Sequence, residues 1–161
     1  MAAAAGAAAA TPENLTAPGA AFRHKASSVL NKSAEFASKH MFDGSVETCW
    51  NSDQGSPQFV SFDFEPSRVL LSEVRLMFQG GFVGQDAVIE VGEDNVASLR
   101  PISKLELIED CNRLQSFSLN ASSQQQQQAT GSRFVRITFP SSTDFYGRIT
   151  LYRLELWGTR Q

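Results

Sequence analysis

A chain of 161 residues, 42% hydrophobic and 19% charged, holds enough apolar material for one domain with a real core. Twelve phenylalanines against two tryptophans and two tyrosines favour a Phe-packed β core over a helical bundle. The net charge of −3 and the scattered Lys and Arg residues, with one short basic run at Arg23–Lys25, argue against a nucleic-acid footprint. No window holds the roughly 18 consecutive apolar residues of a membrane span.

In chain order, residues 1–21 are rich in Ala, Pro, Gly and Thr. They offer too few large apolar side chains to offset the entropy of ordering, so a disordered tail is expected there. The start at Met1–Ala10 is apolar only through alanine and lacks the basic and Leu-rich regions of a signal peptide. The folded domain is expected to span 22–161. Ala34–Phe42 has helical character for a turn or two.

Strand alternation follows in Gln58–Phe64, Ser72–Phe78, Ala87–Val91, Ile102–Ile108 and Leu114–Leu119. Residues 121–132, with Gln124–Gln128 inside them, read as a flexible Gln-rich loop. In Arg133–Phe139, Val135, Ile137 and Phe139 share one face. Arg148–Trp157 changes parity between Leu151 and Leu154, which predicts a bulge or a corner. Roughly seven or eight strands without a long amphipathic helix imply an all-β fold, an antiparallel sandwich or jelly roll.

The two cysteines, Cys49 and Cys111, lie away from the termini, so a stapling disulfide is not expected and a reducing compartment is. The sequons at Asn14, Asn31 and Asn120 then read as chance matches. The two histidines, His24 and His40, are not part of any catalytic signature: there is no nucleophile elbow, phosphate loop or Cys/His metal cluster. An enzyme is therefore not expected.

Two stretches are more specific. One runs from His40 through Asp43-Gly44-Ser45-Val46-Glu47-Thr48-Cys49-Trp50 to Asn51-Ser52-Asp53-Gln54-Gly55. The other is Thr143-Asp144-Phe145-Tyr146-Gly147-Arg148 leading into Leu154-Glu155-Leu156-Trp157-Gly158. The Asp-Gly-x-x-x-Thr-x-Trp core with a late Leu-Glu-Leu-Trp-Gly resembles the discoidin, or coagulation factor V/VIII type C, domain. The longer wording, including Phe78-Gln79-Gly80-Gly81-Phe82, is similar to a small intracellular branch, the nuclear receptor 2C2-associated protein family. The likeness runs from about Arg23 to Gly158.

That resemblance implies a galactose-binding-like jelly-roll sandwich, no catalysis and a location in the nucleus or cytoplasm. It also implies a protein partner, a nuclear receptor or another transcription factor. From sugar-binding relatives it further implies a structural calcium held by Asp43, Thr48 and Glu155, a hard-oxygen set. The alternative is that Asp43 caps its own turn and Glu155 pairs with an arginine.

Trp50 reads as core, and Trp157 as a seal at the barrel end. Loops at the ends of sandwiches are where such folds bind. The candidate contact residues are accordingly Asn51, Ser52, Asp53 and Gln54, then Gln79 and Phe82, then Asp144, Tyr146 and Arg148. Asp53 and Arg148 alternatively pair to tie loops together. A carbohydrate or other small polar ligand is the second reading, with Tyr146 or Phe82 as the stacking ring. Direct nucleic-acid and membrane binding are not expected, since the loops are polar and the net charge disfavours anionic lipid.

Overall fold

Alternation of apolar and polar residues fixes which face of each strand turns inward. The computed structural model, which describes residues 11–127 and 130–161, follows that rule closely. The elements in order are β1 (Glu13–Asn14), β2 (Arg23–Ala26), β3 (Trp50–Asn51), β4 (Gln58–Asp63), β5 (Val69–Phe78), β6 (Gly84–Gln85), β7 (Ala87–Gly92), β8 (Arg100–Leu105) and β9 (Leu114–Ser118). A short helix α1 (Ala121–Gln125) precedes β10 (Phe134–Phe139), β11 (Ser141–Ser142) and β12 (Thr150–Arg160). The expected helix at 34–42 is a pair of 3₁₀ turns, Ala34–Phe36 and Ser38–Phe42.

Two antiparallel sheets enclose the core. One has the order β1-β12-β5-β9 with β3 also on β12; the other has the order β2-β4-β10-β7-β8. Val135, Ile137 and Phe139 of β10 face Val74, Leu76 and Phe78 of β5 and Leu154 and Leu156 of β12 across a closed apolar layer. Trp50 is fully buried and donates its indole N–H to the Ser28 carbonyl at 2.8 Å. Phe22, Phe42, Phe62 and Phe64 form an aromatic cluster with centroids 5.0–6.2 Å apart. The parity change in the last strand is a bulge: the register on β5 shifts between Leu151 and Arg153, and one continuous strand follows.

Three expectations are corrected. The folded part begins at Glu13 rather than Phe22. Glu13 and Asn14 pair with Gly158 and Trp157, Leu15 is fully buried, and the Thr16 hydroxyl donates to the Leu154 carbonyl at 3.2 Å. A single Leu in a deep slot, backed by backbone pairing with β12, anchors a segment whose composition looks too poor to fold. The part of the expected tail at 1–10 lies outside the described residues.

The Gln-rich stretch also holds structure. Asn120 caps α1 by accepting the Ser123 N–H, and Gln127 is buried, its amide bonded at 2.8 Å to both the N–H and the C=O of Leu71. A side-chain amide there replaces the neighbouring strand that the backbone of Leu71 lacks on its β9 side. Gln128 and Ala129 lie outside the described residues. Finally, Trp157 does not seal an end. It lies half-buried on the outer face of its sheet, under the Arg75 guanidinium at 4.1 Å.

Candidate functional site

Three loops converge at one end of the sandwich, those after β3, after β5 and between β11 and β12. Backbone bonds hold them together: Ser52 N–H to Ile149 C=O (2.8 Å), Gly55 N–H to Tyr146 C=O (2.7 Å), Gln79 N–H to Thr150 C=O (3.0 Å) and Thr143 N–H to Val83 C=O (2.9 Å). Gly147, at φ 82°, crosses so near the first loop that a Cβ would stand 2.8 Å from the Gly55 oxygen. Only glycine fits that crossing.

The sequence-predicted residues divide within this cluster. Ser52 is fully buried: its hydroxyl accepts the Ile149 N–H at 2.8 Å and donates to the Asp53 carbonyl at 3.0 Å. It is a strut between loops, not a surface group. Asn51 is partly buried in β3, and its Oδ1 is a buried acceptor without a partner among the described residues. Asp53 folds back on its own loop, its carboxylate accepting the Gln54 N–H and its backbone bonding Ser28 and Gln58. Gln54 is exposed.

Asp53 does not pair with Arg148. Arg148 instead takes Asp144, with Nε to Oδ2 at 2.9 Å and Nη2 to Oδ1 at 3.2 Å, because both lie on the same tight turn. The hydrogen bond from Arg148, outweighing the cost of burial, holds the Asp144 carboxyl below the usual carboxylate range and raises the guanidinium in turn. The guanidinium also sits 5.3 Å from the Phe82 ring and 5.5 Å from that of Tyr146. Gln79 accepts from the Tyr152 hydroxyl at 3.3 Å.

Sequence reasoning missed the most exposed aromatic of this end. Phe145 is 92% exposed and Tyr146 55%, the two rings edge-to-face at 5.2 Å. The signal was present, since a Phe between Asp and Tyr in a Gly-containing turn has no core to enter. Asp110 and Asn112 were missed as well. Their side chains accept the Gly81 and Gly80 N–H groups at 2.7 and 2.6 Å and brace the second loop, and the nearby Leu107 is 92% exposed.

The expected calcium ligands are only half assembled. The Thr48 hydroxyl donates to Asp43 Oδ2 at 2.5 Å, and Asp43 Oδ1 accepts the Ser45 N–H at 2.9 Å. Burial raises the Asp43 carboxyl, but hydrogen bonds from Thr48, Ser45 and His40 outweigh it and lower the pKa. Glu155 points elsewhere: it accepts the Trp157 indole N–H at 2.8 Å and lies 3.9 Å from Arg75 and 3.7 Å from Arg153. Two guanidinium groups flank the Glu155 carboxylate, so holding a cation there would require it to leave those partners. Among the described residues, no three His, Cys, Asp or Glu side chains gather as a metal site. Cys49 and Cys111 are free thiols, and burial, with Glu35 nearby, pushes the Cys49 thiol up and away from reactivity.

No protein-family model matches the chain. Curated relatives do. The nuclear receptor 2C2-associated protein of Danio rerio is 44% identical over 137 residues, covering 84% of this chain and 90% of the relative. The Homo sapiens protein of the same name is 36% identical, covering 84% and 91%. The chain belongs to the nuclear receptor 2C2-associated protein family.

Solved structures place the fold of this family member among carbohydrate-binding modules. The chitosan-binding module 1 from a chitosanase/glucanase of Paenibacillus sp. IK-5 aligns with a TM-score of 0.67 at 21% identity, covering 91% of this chain and 99% of that one. A Clostridium perfringens family 32 module solved with galactose aligns at 0.62 and 14% identity, covering 84% and 93%. At such identities the likeness is one of fold, a galactose-binding-like β-sandwich. No helix among the described residues is long and apolar enough to cross a membrane.

Proposed function

We propose that this family member is a non-catalytic intracellular interaction module whose loop end docks a protein partner, a nuclear receptor or another transcription factor. The observation that carries the reading is the exposed Phe145–Tyr146 pair, mounted on a turn that the Asp144–Arg148 clamp makes rigid. Large aromatic area on a pre-ordered loop is what interface hot spots use. The name shared by the relatives supports a receptor as the partner. Purified nuclear receptor 2C2 is the direct probe. Immobilised wild-type chain should capture it, and Phe145→Ala and Tyr146→Ala should weaken capture. Equal capture by all three would remove the loop end as the interface.

A second reading, carbohydrate or another small polar ligand at the same end, has one observation in its favour. Tyr146 and Phe82 flank the Arg148 guanidinium, a mix of ring faces and donors that suits a polar ring. A glycan array that returns no binder would leave this reading without support.

A further inference from the structure

The outer face of the sheet β2-β4-β10-β7-β8 collects cations that are far apart in sequence. Strand pairing sets Arg23 beside Asp63 and Phe134, Lys25 beside Ser61 and Arg136, and Phe59 beside Thr138, Val88 and Lys104. Arg133 joins them, bonded to Asp63 at 2.9 Å and lying 4.5 Å over the Phe134 ring, while Arg136 lies 4.4 Å over Phe59. The carboxylates on this face are Asp63, held by Arg133, and Glu90, with Glu65 at the margin.

Among the arginines, charge pairing separates this face from the rest of the protein. Arg68, Arg75, Arg100, Arg113, Arg148, Arg153 and Arg160 all form ion pairs elsewhere. Among the described residues the two arginines without an ion pair are Arg23 and Arg136, both here, together with Lys25 and Lys104. On this face Arg23 stands beside Asp63 and Arg136 beside Glu90, whereas Lys25 and Lys104 have no carboxylate as strand partner, so cations outnumber carboxylates there. Arg23, Lys25, Asp63, Phe62, Val96 and Phe134, with His24 and Ser61, line a shallow groove of about 220 Å³ on that face.

The groove lies over β2, β4 and β10, and β2 is itself an edge strand. β2 is the terminal strand of its sheet, and among the described residues the backbone of Arg23–Ala26 bonds to β4 alone. Arg23 and Lys25 point outward, two residues and so about 6.7 Å apart, the spacing of alternate side chains in an extended peptide.

We infer that β2 and this basic face form a second docking surface, separate from the loop end, that takes an acidic peptide by strand addition. The peptide backbone pairs with the open edge of β2, and carboxylate side chains at alternate positions meet Arg23 and Lys25. Peptide is favoured over single-stranded nucleic acid because Phe59 and Phe134, the rings on which bases would stack, are already covered by Arg136 and Arg133.

Fluorescence anisotropy with a labelled peptide of alternating Glu and Val tests this. The full chain should bind it, ignore the Gln-Val counterpart, and lose affinity as salt rises from about 50 to about 300 mM. Arg23→Glu with Lys25→Glu, both exposed and outside the core, should weaken binding at least about tenfold, whereas Phe145→Ala should not. Hydrogen exchange at the β2 amides should slow on binding. No binding by about 1 mM peptide, or binding indifferent to the Arg23/Lys25 change, overturns the inference. Tighter binding of oligothymidylate than of the acidic peptide in the same buffer overturns the choice of peptide.

Discussion

Ser52→Ala distinguishes a strut from a contact residue at the loop end. The side chain is fully buried, and its hydroxyl is the partner of the Ile149 N–H at 2.8 Å, with Ile149 itself 1% exposed. Alanine leaves that amide buried and unpaired, a cost of about 1–3 kcal/mol. At about 2–4 °C per kcal/mol for a chain of this size, the melting temperature should fall by roughly 2–12 °C. The Ser52–Ile149 and Gly55–Tyr146 backbone bonds remain, so the loops should keep their places and partner affinity should hold. Urea denaturation measures the loss, with an unchanged m-value as the sign that only stability moved. The exposed neighbour Gln54→Ala should stay within about 0.5 kcal/mol of wild type. Ser52→Ala with wild-type stability but lost partner binding would refute the reasoning, since the hydroxyl would then serve the ligand.

Gln127→Ala removes both bonds to the Leu71 backbone and should cost about 2–4 kcal/mol in the same assay, against almost nothing for the exposed Gln126→Ala. Equal effects would mean that the Gln stretch does not dock. Asp63 and Asp144 are both held below their ordinary value of 3.8. Their contribution is therefore complete above that value and lost as pH falls through the lower folded values. Acid unfolding should be shallower in the Asp63→Asn, Asp144→Asn double variant, and an unaltered pH profile would contradict the assignment. Calcium in excess, compared with chelator, should leave the melting temperature unchanged, because Glu155 is engaged with Arg75, Arg153 and Trp157. A rise of several degrees would mean that Glu155 releases those partners to complete a cage.

The sheets were legible because half-buried strands must alternate: Val135, Ile137 and Phe139 announced their face, and the parity slip in the last strand announced its bulge. What sequence could not show depends on distant partners. Leu15 and Thr16 order because β12 offers them a slot and a carbonyl, and Gln127 because Leu71 lacks a strand neighbour on its β9 side. Neither cause is local. The loop end was legible as a cluster, yet its roles were not. Whether Ser52 faces solvent or a buried amide, and whether Arg148 takes Asp53 or Asp144, depends on how two turns cross at Gly147. The basic face was the least visible, since Arg23, Lys25, Arg136 and Lys104 come to share one face only when the five strands β2-β4-β10-β7-β8 pair.

The central claim is that the loop end is a protein interface built on exposed aromatics. The most direct measurement is the affinity of purified nuclear receptor 2C2 for the wild-type chain and for Phe145→Ala/Tyr146→Ala, by titration calorimetry. Binding that weakens by at least about 2 kcal/mol in the double variant, with unchanged melting temperature, is the predicted result. Equal affinity in the two proteins, or no binding to either, would contradict it.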